Sequence, residues 1–139
     1  MNELIGEEIL IFSLDDENYG ISVKQISGIS DSLQVAWLPK SPAWLAGITY
    51  FRSEIIPVIN LRAIWKKSDS SSSVKSRFII VESYKSMYAL QVDKLYEISQ
   101  ISNWQEESNL IGQVAQSSYN HKPLFLIDVR KLISSLRLL

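Results

Sequence analysis

Residues 47–62, GITYFRSEIIPVINLR, constrain this chain more than any other stretch. Apolar residues lead into an isolated arginine, Arg52, and the polar pair Ser53-Glu54 follows. A near-continuous apolar run, Ile55-Ile56-Pro57-Val58-Ile59, then closes on Asn60-Leu61-Arg62. Two apolar runs joined by a short polar corner predict a β-hairpin with a charge at its tip. Pro57 cannot donate to a β-ladder, so the second strand should have an unpaired side there or a kink. Nothing in this hairpin performs covalent chemistry unaided. It reads as a surface feature on a β scaffold, suited to binding rather than catalysis.

The same signature recurs along the chain. Residues 8–14 and 19–23 form a hairpin around the turn-rich Asp15-Asp16-Glu17-Asn18. Residues 25–30, interrupted by Gly28, read as a bulged strand or one helical turn. Val35 to Leu38 is a short apolar piece, and Pro39 and Pro42 bracket a loop. Beyond the central hairpin, residues 61–66 suit a single helical turn, and residues 68–73 are a polar serine-rich linker. Strands are expected over 77–82, 87–92, 94–101, 110–116 and 124–127, with a loop around Trp104. Val129, Leu132, Ile133 and Leu136 then fall on one helical face, with Asp128 placed as the N-cap. Nine or ten short strands and one C-terminal helix predict an all-β sandwich or barrel. The serine linker suggests two small barrels within one domain spanning residues 1–139, since 139 residues is an ordinary single-domain length.

Composition excludes several function classes. With 14 basic and 15 acidic residues the formal charge is −1, so nucleic acid is not an expected partner. The absence of cysteine removes disulfides and thiolate metal sites, and one histidine is too few for a histidine-based zinc centre. No apolar run reaches the ~20 residues that span a bilayer. Glu3, Glu7 and Glu8 are wrong for a secretory leader, so a cytoplasmic location without membrane insertion is expected. No glycine-rich phosphate loop and no G-x-S-x-G elbow is present. His121, in Tyr119-Asn120-His121-Lys122-Pro123, reads as a solvated turn histidine. The pairs Asp15-Asp16 and Glu106-Glu107 read as solvated loop charges. No catalytic residue, cofactor or metal is therefore expected. Among the four tryptophans, Trp44 is the candidate exposed ring, because tryptophan and arginine are favoured at interfaces.

The central motif resembles the signature of CheW-like domains, G-V-I-N-L-R-G-E-I-I-P-V-I-D-L-R. Gly47-Ile48, Phe51-Arg52, Glu54 through Ile59 and Leu61-Arg62 carry the likeness. Phe12-Ser13-Leu14 with Tyr19-Gly20-Ile21 resembles the family's opening hairpin. Leu38-Pro39 and Pro42 resemble its proline loop, Val92-Asp93 its V-D step, and Leu126-Ile127-Asp128 with Lys131-Leu132 its closing strand and helix. The resemblance implies two intertwined five-stranded SH3-like barrels with a short C-terminal helix. It also implies a non-enzymatic adaptor that couples chemoreceptors, through their cytoplasmic tips, to the regulatory domain of a histidine autokinase. A divergent scaffold that has lost kinase coupling, or a small Ser/His hydrolase, are the alternatives. The expected interaction residues are Arg52, Ser53, Glu54, Ile56 and Val58 or their outward-facing alternates, Trp44 and Tyr50. The chain departs from the family pattern at Tyr50, Ser53 and Asn60, and at Gly28, where a glutamate that can pair with the motif arginine is common. Ser53 is then strained if the corner needs positive φ, and Arg52 is either free or paired elsewhere, for instance with Glu54. These departures imply a retained fold with altered partner choice.

Overall fold

A computed structural model describes residues 7–67, 76–107 and 110–136. The chain opens with β1 (Glu8–Leu14) and β2 (Glu17–Ser22), makes a 3₁₀ turn (Val23–Gln25), and enters β3 (Ile26–Ser30). The central hairpin is β4 (Leu45–Phe51) and β5 (Glu54–Asn60), followed by the short helix α1 (Leu61–Ile64). β6 (Arg77–Ser83), β7 (Ser86–Val92), β8 (Lys94–Gln100), β9 (Gln105–Glu106), β10 (Gln113–Tyr119) and β11 (Lys122–Ile127) precede helix α2 (Val129–Ser135).

Two sheets result. One has six strands in the order β8-β1-β2-β11-β10-β9, and the other has five in the order β3-β6-β7-β5-β4. The chain starts in the first sheet, builds all of the second, and returns to the first at Asp93, so the two halves are intertwined as expected. Among the described residues the hydrogen-bonded ladders leave both sheets open rather than closed into barrels. At one edge β9 is only two residues long, and at the other a single bridge from Ala36 to Ile48, not β3, lies against β4. The linker at 68–73 lies outside the described residues. The elements on either side of it, β5 with α1 and β6, belong to or adjoin the same five-stranded sheet. The passage between sheets occurs instead at the 3₁₀ turn and at Asp93.

Strand periodicity explains why so many runs are apolar throughout. Successive residues of a strand face opposite sides of the sheet. In β1, Leu10, Phe12 and Leu14 enter a central core between the sheets, while Ile9 and Ile11 enter a smaller core with Leu124 and Leu126. In the other sheet, Ile79, Val81 and Leu90 join the central core, and Phe78, Ile80 and Ala89 form a third cluster with Ile56 and Val58. Each sheet thus curls around its own small core and shares a central one. Strands buried on both faces lose polar alternation.

Local signals fit this frame. Asp128 caps α2 by accepting from the Arg130 amide at 3.0 Å, and Val129, Leu132 and Leu136 bury its apolar face. Asn60 caps α1 through the Ala63 amide. The parallel ladder from β5 to β7 begins only at Val58, one residue past Pro57, so the missing donor falls where that side of the strand is unpaired. Residues 25–30 satisfy both readings: the 3₁₀ turn ends at Gln25, and β3 shifts register between Ile26 and Gly28.

Candidate protein-interaction site

The tip of the central hairpin is a two-residue turn. Phe51 pairs with Glu54 across it, and Tyr50 with Ile55. Arg52 and Ser53 both hold positive φ, at 47° and 65°. Two consecutive left-handed residues match the right-handed twist of the flanking strands, and asparagine and glycine normally occupy them. Neither is present here, so the corner is strained as the Ser53 departure implies. The Arg52 guanidinium lies 5.0 Å from the centroid of the Phe51 ring, a cation–π contact. A Cβ placed on Gly28 would stand 3.3 Å from an Arg52 guanidinium nitrogen, so the side chain occupies the space that a residue larger than glycine would use. Among the described residues Arg52 makes no ion pair, with Glu54 or otherwise, and all three tip residues Arg52, Ser53 and Glu54 are exposed.

Around this tip the exposed surface is apolar. Tyr50 and Ile55 are each 68% exposed and face the same side. With Val35, Ala36 and Ile48 they line a groove of about 420 Å³ along the outer edge of β4. Trp37, 72% exposed, lies on the same segment as Val35. That segment is zipped to β4 by two backbone bonds between Ala36 and Ile48, at 2.8 and 3.0 Å, and by the Thr49 hydroxyl donating to the Gln34 carbonyl at 2.7 Å. Gly47 permits the approach, since a Cβ there would sit 2.4 Å from the Ala36 carbonyl oxygen.

Three sequence expectations need correction. Ile56 and Val58 are 2% and 0% exposed and belong to the core of the five-stranded sheet, so neither can offer contact area. Period-two geometry puts their neighbour Ile55 outside instead. The Trp44 ring packs against the central core rather than standing free, and the exposed tryptophan is Trp37. Ile55 is thus the outward-facing alternate to Ile56 and Val58, whereas Val35, Ala36 and Ile48 are not among the expected residues; the lack of any polar face in the short apolar piece 35–38 is the available signal.

The second arginine of the motif does different work. The side chain of Arg62 is only 12% exposed and forms ion pairs with Asp15 at 2.6 Å and Asp93 at 2.5 Å. The same Asp93 carboxylate accepts from the Asp15 amide at 2.7 Å, and the Asp93 amide donates to the Ser13 carbonyl. This clamp joins the β1–β2 turn to the segment after β5 at the point where the chain crosses between sheets. Burial alone would lower the Arg62 pKa, but the two carboxylates outweigh it and hold the charged form still more firmly. Beside the clamp, Tyr19 stacks on Trp65 with centroids 4.7 Å apart, and the Trp65 indole donates to the Ile111 carbonyl at 2.7 Å. Burial pushes the Tyr19 hydroxyl up to about 12 despite the nearby Lys67 ammonium. Lys67 pairs with Glu17 at 2.7 Å; its own burial opposes the charged form, yet that pair and Tyr19 raise its pKa.

His121 occupies an exposed β10–β11 turn with Asn120, both at positive φ. Among the described residues no group of three or more His, Cys, Asp or Glu is arranged to hold a metal. No described helix is long and apolar enough to cross a membrane.

The geometry and motif have counterparts in known proteins. The chain is similar to the chemotaxis protein CheW of Klebsiella aerogenes, 26% identical over 96% of this chain and 85% of the relative. It is likewise similar to the chemotaxis protein CheW of Treponema pallidum, 28% identical over 92% of this chain and 82% of that protein. Its fold matches the crystal structure of the scaffolding protein TtCheW from Thermoanaerobacter tengcongensis with a TM-score of 0.82, at 24% identity and 92% coverage of both chains. The family model described as a CheW-like domain matches residues 8–137. With the intertwined sheets and the hairpin motif, that match shows that the chain belongs to the CheW-like domain family.

Proposed function

We propose that this protein is a non-catalytic adaptor of a chemotaxis-type signalling pathway, working in the cytoplasm. It would couple the cytoplasmic tips of chemoreceptors to the regulatory domain of a histidine autokinase through protein contacts. The relatives bear the name chemotaxis protein CheW. The observation that carries the reading is the face formed by Tyr50, Ile55, Val35 and Trp37 beside Arg52, which has no ion pair among the described residues. Exposed aromatic and arginine side chains around an apolar groove are what a protein interface uses for its anchors. Ser53 and Glu54 present the polar rim of the same tip, and Trp44 supports the strand from behind.

Co-purification of the purified chain with a chemotaxis kinase regulatory domain, and separately with a receptor tip, tests this. Ile55→Asp should abolish the complex on this face, and Arg52→Glu should weaken it by about 2–5 kcal/mol if the arginine is paired and buried in the complex. Both positions are exposed, so the thermal midpoint should hold. Normal binding by both variants would overturn the site. Failure of the unaltered chain to bind any kinase, with retained receptor binding, would favour a scaffold that has lost kinase coupling.

A further inference from the structure

We propose a second binding site on the opposite edge of the five-stranded sheet, a cleft that takes the phosphoryl group of a small phosphate monoester. The cleft has a volume of about 520 Å³ and lies where the 3₁₀ turn, the β6–β7 turn and the start of α2 converge. Lys24, Lys85 and Arg130 each contribute a cation from one of these three segments; among the described residues the one lining carboxylate is Glu82. Lys24 is paired with Glu7 at 2.6 Å on the rim. Lys85 and Arg130 are exposed and have no carboxylate partner among the described residues. The Arg130 guanidinium lies 5.6 Å from the centroid of the Tyr84 ring, at the edge of the cleft.

A cationic rim alone would be a solvated surface. The second observation is Ser83, which lines the cleft, is 2% exposed, and carries a buried hydroxyl with no hydrogen-bond partner. Buried hydroxyls are nearly always paired, because an unsatisfied one forfeits its hydration. An oxyanion at this position would satisfy it. The neighbouring acid Asp128 is already engaged by the Arg130 amide and the Gln25 side chain, and it does not line the cleft. Cations approaching from three segments suit a tetrahedral dianion, which accepts from several directions at once. A planar monoanionic carboxylate would leave part of this set unused.

The test is an amide NMR titration of the full chain with inorganic phosphate and with glycerol 3-phosphate, at a pH where both are dianionic. Acetate at matched ionic strength is the control. Saturable shifts should concentrate at Ser83, Tyr84, Lys85 and Arg130. Lys85→Gln combined with Arg130→Gln should weaken binding by about tenfold or more, since each removes a charge-assisted contact. Removing the lining carboxylate by Glu82→Gln should tighten it. All three positions are exposed, and unchanged spectra away from the cleft would show that the fold is intact. The proposal fails if acetate produces the same shifts, if the phosphate shifts do not saturate, or if the double variant binds as well as the unaltered chain.

Discussion

Arg52 and Arg62 stand in one motif and meet opposite environments. Arg52 rides on a strained two-residue turn, over the Phe51 ring, with no acidic partner among the described residues. Arg62 is nearly buried and bound to Asp15 and Asp93 from two other segments. An arginine gripped by two carboxylates inside the fold is a fastener, and one with its fork open on an apolar rim is available to a partner. One motif therefore divides its labour: its end holds the two sheets together, and its corner faces outward.

The sharpest way to break that contrast is Arg62→Ala. It leaves the partly buried Asp93 carboxylate without its counter-charge at the crossing between sheets. Removing one member of a buried ion pair costs about 3–5 kcal/mol, which should appear as a large drop in the urea midpoint. Adding Asp93→Asn should recover part of the loss, because the stranded charge is gone. An unfolding free energy within about 0.5 kcal/mol of the unaltered chain, the range of ordinary surface changes, would reduce Arg62 to a surface charge like Arg52.

Alkaline pH probes the same buried end. Tyr19 keeps its proton up to about pH 12 in the folded chain, against about 10 in an unfolded one. The folded state binds the extra proton between those values, so stability contributed by the neutral phenol is complete below about pH 10. It is lost as pH rises through 12. A shift of this size is worth about 2–3 kcal/mol at 1.36 kcal/mol per pH unit. Urea midpoints measured from pH 9 to 12 should fall more steeply for the unaltered chain than for Tyr19→Phe. Equal slopes would mean that the phenol is not held neutral by burial.

Gly28→Glu tests the outward arginine by turning it into an inward one. A Cβ at position 28 meets only the ends of the Phe51 and Arg52 side chains, at 3.2 and 3.3 Å, so a small displacement of the guanidinium accommodates it. The new carboxylate should capture Arg52. The stability change should stay below about 1 kcal/mol, as for exposed pairs. Partner affinity should fall several-fold, because the fork is no longer free. Unchanged affinity in a pull-down series would show that Arg52 does not need to be open.

Part of this contrast is legible in the sequence, but the buried role of Arg62 is not. Most strand positions follow from β-branched runs and turn residues, but β10 lies three residues later than the expected 110–116 and the loop expected around Trp104 carries the short strand β9; the α2 cap follows from Asp128 ahead of a helical apolar spacing. The strained corner was visible in the replacement of glycine by Ser53. What the linear pattern could not carry was pairing between distant strands. β11 joins β2 in parallel, and β5 joins β7 in parallel, so the serine segment that looks like a boundary lies in sequence between β5 and β6, two strands of one sheet. Facing was illegible in β5 for a related reason. A strand buried on both sides over part of its length has no polar alternation to mark its outer face, so the run itself does not show whether Ile56 and Val58 or their alternate Ile55 face solvent. Trp37 and Trp44 both lie near prolines, and only the closing of the segment 35–38 against β4 decides which ring is exposed.

The smallest effect belongs to the corner itself. Ser53 sits at φ 65° beside Arg52 at 47°, a pair of conformations that cost a β-carbon-bearing residue about 1 kcal/mol or more each. Glycine adopts the same angle without that cost but loses more freedom on folding, about 0.5–1 kcal/mol. Ser53→Gly should therefore stabilise the chain by no more than about 1 kcal/mol, read as a small rise in thermal midpoint. The contact of Arg52 with Phe51 does not involve the Ser53 side chain, so partner binding should persist. Destabilisation by Ser53→Gly would show that the serine makes a compensating interaction at the tip. A loss of binding without loss of stability would show that a stiff corner, and not only a free guanidinium, is what presents Arg52.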